Sequence, residues 1–272
     1  MNHHEITGGG AVRLHAVETG NPQGRPILFI HGFSQCSLAW SRQLSSDLAD
    51  DHRLVALDLR GHGESDKPRD AYADSQAWAD DVNATVESLE LDQPILCCWS
   101  YGSLVALDYI RHYGEGGMGG LHFVDSLTKL GSDEALAVLT PELLALVPGF
   151  FSTDVEESMG SLEPFIRMCF VHEPSSEELC LVRGYNVAVP PYVRQALFSR
   201  SIDNDDLLPT IRKPVLVTHG AQDALVKLAI VDQIQESIPH AEVQVMEAAG
   251  HASFWDDPGA FNARLRTFAQ AA

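Results

Sequence analysis

Six short apolar runs, separated by longer stretches of helical period, constrain this chain more than any other feature. They fall at 26–30, 54–57, 94–98, 121–124, 214–217 and 243–246, each bounded by turn residues. The first five are nearly continuous in apolar residues, the pattern of strands buried on both faces of a parallel sheet. Between and after them, helical period marks 37–50, 76–90, 102–113, 225–237 and 258–271. The last stretch has clear start chemistry, with Asp257 as N-cap and Pro258 at the first helical position. Such alternation predicts an open α/β sheet. Upstream, Gly8-Gly9-Gly10 separates two extended stretches within 5–20, which predicts an antiparallel hairpin at the sheet edge.

One connection breaks the rhythm. From Ser126 to Lys213 the chain runs far beyond the roughly 10–12 residues a crossover needs. Helical patterns recur there near 132–139, 141–147, 155–170, 176–187 and 192–199. The expected organisation is a core of 1–126 and 208–272, with 127–207 inserted as a helical cap over the carboxyl end of the sheet. The Gly-rich stretch 114–120 has no Lys-Ser/Thr after it, so it reads as a loop and not as a phosphate cradle.

Composition narrows the partners. The 272 residues carry a formal net charge of -20, and such a surface repels phosphate backbones and anionic lipid, so neither nucleic acid nor membrane is an expected partner. Met1-Asn2-His3-His4-Glu5 lacks the basic patch and apolar stretch of a signal peptide. No apolar run approaches the roughly 18 residues of a membrane span. The cysteines, Cys36, Cys97, Cys98, Cys169 and Cys180, are odd in number and irregular in spacing. They read as thiols in a reducing, cytoplasmic compartment rather than as a disulfide framework.

Chemistry concentrates in Cys98-Trp99-Ser100-Tyr101-Gly102. Ser100 follows a buried strand and precedes a helix, and so sharp a turn thrusts a serine out above the sheet edge. The residues two before and two after it must be small; Gly102 meets that demand and Cys98 departs mildly from it. A serine hydroxyl needs a base, and the base needs an acid to hold its tautomer. Downstream, His219-Gly220-Ala221-Gln222-Asp223 places a carboxylate in the loop after one strand, and Gly250-His251 places an imidazole after the final strand. Asp125, at the end of the strand before the cap, is a rival acid; Asp223 is preferred because its loop gives reach towards His251.

The oxyanion donors expected are the N–H groups of Tyr101 and of Phe33, in the His31-Gly32-Phe33-Ser34 loop. The stretch from Asp58 to Pro68 reads as a tight loop held by Arg60, His62 and Asp66, with His62 structural because it precedes the serine.

Together, His31-Gly32-Phe33, Asp58 to Pro68, Cys98 to Gly102, Gly220 to Asp223 and Gly250-His251 resemble the α/β-hydrolase superfamily. The overall likeness is to its small capped serine esterases related to cofactor-free haloperoxidases. The resemblance implies a mostly parallel eight-stranded sheet flanked by helices and an acyl-enzyme mechanism through Ser100, Asp223 and His251. It calls for no metal or cofactor, and the partner expected is a small or medium ester. The pocket is expected between sheet and cap, lined by Trp99, Phe254, Phe150 and Phe151 beside Phe33 and Tyr101. Serine at position 100 disfavours dehalogenase and epoxide-hydrolase chemistry, which this superfamily performs with aspartate there. Carbon–carbon bond hydrolysis, perhydrolysis and a ligand receptor on the same scaffold remain as alternatives.

Overall fold

The computed structural model describes residues 1–272. Eight strands form one sheet: β1 Asn2–Thr7, β2 Arg13–Gly20, β3 Arg25–Ile30, β4 His52–Asp58, β5 Ile95–Trp99, β6 Gly120–Val124, β7 Val215–Gly220 and β8 Glu242–Met246. Their spatial order is β1-β2-β4-β3-β5-β6-β7-β8. The β1–β2 and β2–β4 pairings are antiparallel, and every pairing from β4 through β8 is parallel. All residues of β5 and β6 are buried, as helices on both faces of a parallel sheet require. The edge hairpin turns through Gly9–Ala11, where the expected glycines lie.

Twelve helices accompany the sheet: α1 Ser41–Leu44, α2 Leu48–Asp51, α3 Ser75–Ser88, α4 Tyr101–Tyr113, α5 Asp133–Ala137, α6 Pro141–Phe150, α7 Val155–Met168, α8 Ser176–Val187, α9 Pro191–Phe198, α10 Ala229–Ser237, α11 Ser253–Asp256 and α12 Pro258–Ala271. The start of α12 forms as its sequence dictates, with Asp257 accepting the Ala260 N–H at 3.0 Å. Five helices, α5 to α9, occupy the long connection between β6 and β7. Its two ends pair as a short antiparallel bridge between Leu130 and Ile202. No helix is long and apolar enough to cross a membrane.

Two expected helices are shortened. The stretch 37–50 breaks into a 3₁₀ turn and the short α1 and α2. Ser45 and Ser46 stand at the break, where their hydroxyls donate to the Ser41 and Gln43 carbonyls. Helix α10 begins at Ala229 rather than 225, because the Leu225 and Val226 N–H groups donate to Asp223 Oδ1 instead.

The loop after β4 is bolted in place by a buried ion pair. Arg60 Nε and Nη2 donate to Asp81 Oδ2 and Oδ1 at 2.6 and 2.7 Å, and further guanidinium bonds reach the Gly9, Ala71 and Ala77 carbonyls. His62 donates to the Arg60 carbonyl at 2.9 Å, and Asp66 accepts from Arg13. Removing one partner strands a charge, whereas replacing both removes the problem. Arg60→Ala is expected to destabilise the protein by about 3–5 kcal/mol, read as a lower thermal midpoint. The double change Arg60→Met with Asp81→Leu should lose less than the single one.

Candidate active site

Ser100 stands at the turn from β5 into α4 with φ 52° and ψ -119°. That left-handed backbone is unfavourable for a residue with a Cβ and persists only where the surroundings impose it. Two contacts impose it: the Ser100 N–H donates to the Val124 carbonyl at 2.9 Å, and the Ser103 N–H returns to the Ser100 carbonyl at 3.0 Å. The expected demand for a small residue is met at Gly102, where a Cβ would fall 2.6 Å from the Ile30 carbonyl oxygen. Cys98 is accommodated fully buried in β5.

The loop after β3 comes close to this elbow. At Gly32 an added Cβ would lie 3.1 Å from Ser100 Cβ, so glycine there lets the two loops meet. The next residue, Phe33, has an N–H with no acceptor in the protein. Tyr101 heads α4, so its N–H is one of those no helical carbonyl can take. Both expected oxyanion donors are therefore free.

His251 follows β8, and its ring Nδ1 donates to Asp223 Oδ2 at 2.8 Å. Its carbonyl accepts the Trp99 indole N–H at 2.7 Å, which ties the histidine loop to the residue before Ser100. Burial opposes a charge on the ring, but Asp223, through charge and hydrogen bond, and Asp125, through charge, outweigh it, leaving the His251 pKa above the ordinary imidazole value. Asp223 Oδ1 is engaged with the Leu225 and Val226 N–H groups at 2.7 and 2.9 Å. One oxygen therefore fixes the loop while the other faces the imidazole.

Asp125, the rival acid, makes no bond to the His251 ring. It is buried and engaged elsewhere, with Oδ1 accepting from Gly220 and Oδ2 from Ser253. Ligand-type atoms of Asp125, His219 and Asp223 lie within 4.8 Å of one another. The carboxylates are already committed to N–H and O–H donors, which leaves only His219 Nδ1 unpartnered. This donor set does not fit a metal cage.

Phe33, Trp99, Ser100, Tyr101 and His251 line a single cleft. Eleven of its fifteen lining residues are hydrophobic, and none is Asp, Glu, Lys or Arg. The expected lining requires correction at three positions. Phe254 is in the core, 4.2 Å centroid to centroid from Trp40 and 4.9 Å from Trp99. Phe150 is fully buried behind the wall, packed on Phe33 and Phe165. Phe151 turns to Phe198. In their place stand Leu127, Leu130, Leu139, Leu143, Leu225 and Val226, with Phe165, Phe198 and Gln35. A signal existed for some of these: Leu127 follows Asp125 by two residues, and Leu225-Val226 follows Asp223 by two.

Fold and site together define a class. The chain belongs to the alpha/beta hydrolase fold family, whose model matches residues 25–258. Among solved structures, it is similar to the esterase RhEst1 from Rhodococcus sp. ECU1013, at 34% identity and a TM-score of 0.94 over 99% of both chains. Among characterised sequences it resembles the non-heme chloroperoxidase CPO-A1 of Kitasatospora aureofaciens, at 27% identity over 90% of this chain and 92% of that one. A pimeloyl-[acyl-carrier protein] methyl ester esterase of Vibrio atlanticus is 23% identical over 91% of this chain and 95% of its own.

Proposed function

We propose that the protein is a carboxylic ester hydrolase in which Ser100 is the nucleophile, His251 the base and Asp223 the residue that orients the base. One observation carries this reading: a histidine bonded to a buried carboxylate at 2.8 Å shares a cleft with a serine raised on a strained elbow. Ser100 Oγ attacks the ester carbonyl carbon while its proton passes to His251 Nε2, and the carbonyl electron pair moves onto the oxygen. The Phe33 and Tyr101 N–H groups receive that oxyanion. Collapse expels the alcohol, which takes the proton from His251, and leaves an acyl-serine. Water then attacks that acyl group, giving its proton to His251, and the acid departs as Ser100 regains its hydrogen.

The lining points to the substrate. A wall of leucine and aromatic side chains without fixed charge favours uncharged acyl and alcohol groups. On this reading 127–207 acts as a cap, supplying Leu130, Leu139, Leu143, Phe165 and Phe198 to the lining. The esterase relatives support the same class.

Turnover of p-nitrophenyl esters of graded chain length tests it. Each methylene that fits should raise kcat/KM by about threefold to fourfold, following roughly 0.8 kcal/mol per buried CH₂, until the cleft is filled. An ester with a terminal carboxylate should fall on the order of 100-fold below its neutral counterpart, because the charge must be buried unpaired. Equal rates for the pair would sink the substrate assignment. A second reading, peroxide replacing water in deacylation, is favoured by the chloroperoxidase likeness. Peracid formation with the same esters would reveal it.

A further inference from the structure

The loops carrying Asp223 and His251 arise from different strands, yet the bond between them demands placement to a fraction of an ångström. Asp125 lies between them. It closes β6 with φ 44°, a left-handed backbone that aims its side chain away from the strand's regular course. The residue is 0% exposed. Oδ1 accepts the Gly220 N–H at 2.8 Å, three residues before Asp223. Oδ2 accepts the Ser253 N–H at 3.2 Å and the Ser253 hydroxyl at 2.7 Å, two residues after His251. We propose that Asp125 is a positioning residue, a single buried carboxylate that clamps the acid-bearing loop to the base-bearing loop.

The inference rests on the reading of Ser100, His251 and Asp223 as the reacting residues, and it assigns Asp125 no contact with substrate. Asp125 is absent from the cleft lining. Its environment is otherwise hostile to a carboxylate. Burial, with the charge of Asp223 beside it, pushes its pKa up, and the Ser253 and Gly220 donors pull it back down. His251 also lowers it, His219 Nδ1 stands 3.8 Å away without a partner, and the buried Cys169 thiol faces the same cluster. An acid held in such a place contributes through the three donors it gathers, and those donors belong to the two loops the chemistry needs. A hydrophobic residue of similar size could fill the volume but could not hold both loops in register.

Three variants separate clamping from bulk stability. Asparagine keeps the shape, but its amide can accept from only one loop while its NH₂ group faces the donors of the other. Ser253→Ala removes the hydroxyl bond and leaves the backbone one. Rates are measured on p-nitrophenyl butyrate and normalised to sites labelled by a fluorophosphonate, so that unfolded protein does not count. For Asp125→Ala the expected fall in kcat is about 100-fold, the scale of an ångström misplacement. Asp125→Asn should lose about tenfold and Ser253→Ala less, with KM within threefold of wild type throughout. The low-field proton resonance of His251 Nδ1 should weaken or shift in the same order.

A merely structural Asp125 would lower the thermal midpoint while leaving kcat per labelled site and that resonance unchanged. That outcome in Asp125→Asn and Ser253→Ala overturns the clamp while leaving the triad standing. Failure of the triad itself shows separately, as absence of fluorophosphonate labelling at Ser100 in the wild-type protein.

Discussion

Replacing Ser100 by alanine is expected to lower kcat on p-nitrophenyl butyrate by about 10⁶-fold, the scale found when the nucleophile of subtilisin is removed. KM should stay within a few-fold, because the apolar cleft walls remain. The fold should remain too: the elbow is held by backbone bonds from Val124 and Ser103 rather than by the Ser100 hydroxyl. A companion substitution sharpens the result. Glycine adopts φ 52° without the strain a Cβ brings, so Ser100→Gly should unfold at a higher temperature than Ser100→Ala while being equally inactive. Loss of activity with gain of stability cannot be ascribed to misfolding. Turnover by Ser100→Ala above about one per cent of wild type would remove Ser100 from the nucleophile's role.

Much of this architecture is legible in the sequence because the inner strands of the parallel sheet are covered on both faces. That condition forces near-continuous apolar runs such as Ile95–Trp99, which local pattern alone reveals. The elbow is legible for a related reason: Gly102 sits 2.6 Å from a neighbouring carbonyl at the position of its absent Cβ, a constraint that only a small residue satisfies. Pocket lining is a different matter. Aromatic character drew Phe254 and Phe150 into the expected pocket, but large rings are as useful for filling a core, and Trp40 and Phe33 claim them. The leucines that do line it depend on how the segment between β6 and β7 folds back, which no local period encodes. Asp125 shows the same limit. Its place at a strand end made it a plausible acid, and only the positions of Gly220 and Ser253 show where its oxygens are spent.

The substitution that best separates the two carboxylates is Asp223→Asn, expected to lower kcat by about 10⁴-fold, as the corresponding change does in the chymotrypsin-type triad. The reason lies in the loop. Asp223 Oδ1 accepts two backbone N–H groups, at 2.7 and 2.9 Å, so the amide oxygen of asparagine must occupy that position. Its NH₂ group is then turned towards His251 Nδ1, which can only accept. The imidazole is driven to carry its proton on Nε2, where it cannot receive the proton of Ser100. Asp125 cannot take over, because its oxygens already accept from Gly220 and Ser253 and it makes no bond to the ring. The pH profile gives an independent reading. A base must be neutral, so wild-type kcat/KM should rise with pH through a midpoint above the ordinary imidazole value, since Asp223 favours the protonated ring. In Asp223→Asn the charge and hydrogen bond that offset burial most are gone, so the midpoint of the residual activity should move to lower pH. An unmoved midpoint, or a loss smaller than tenfold, would show that Asp223 does not orient the base.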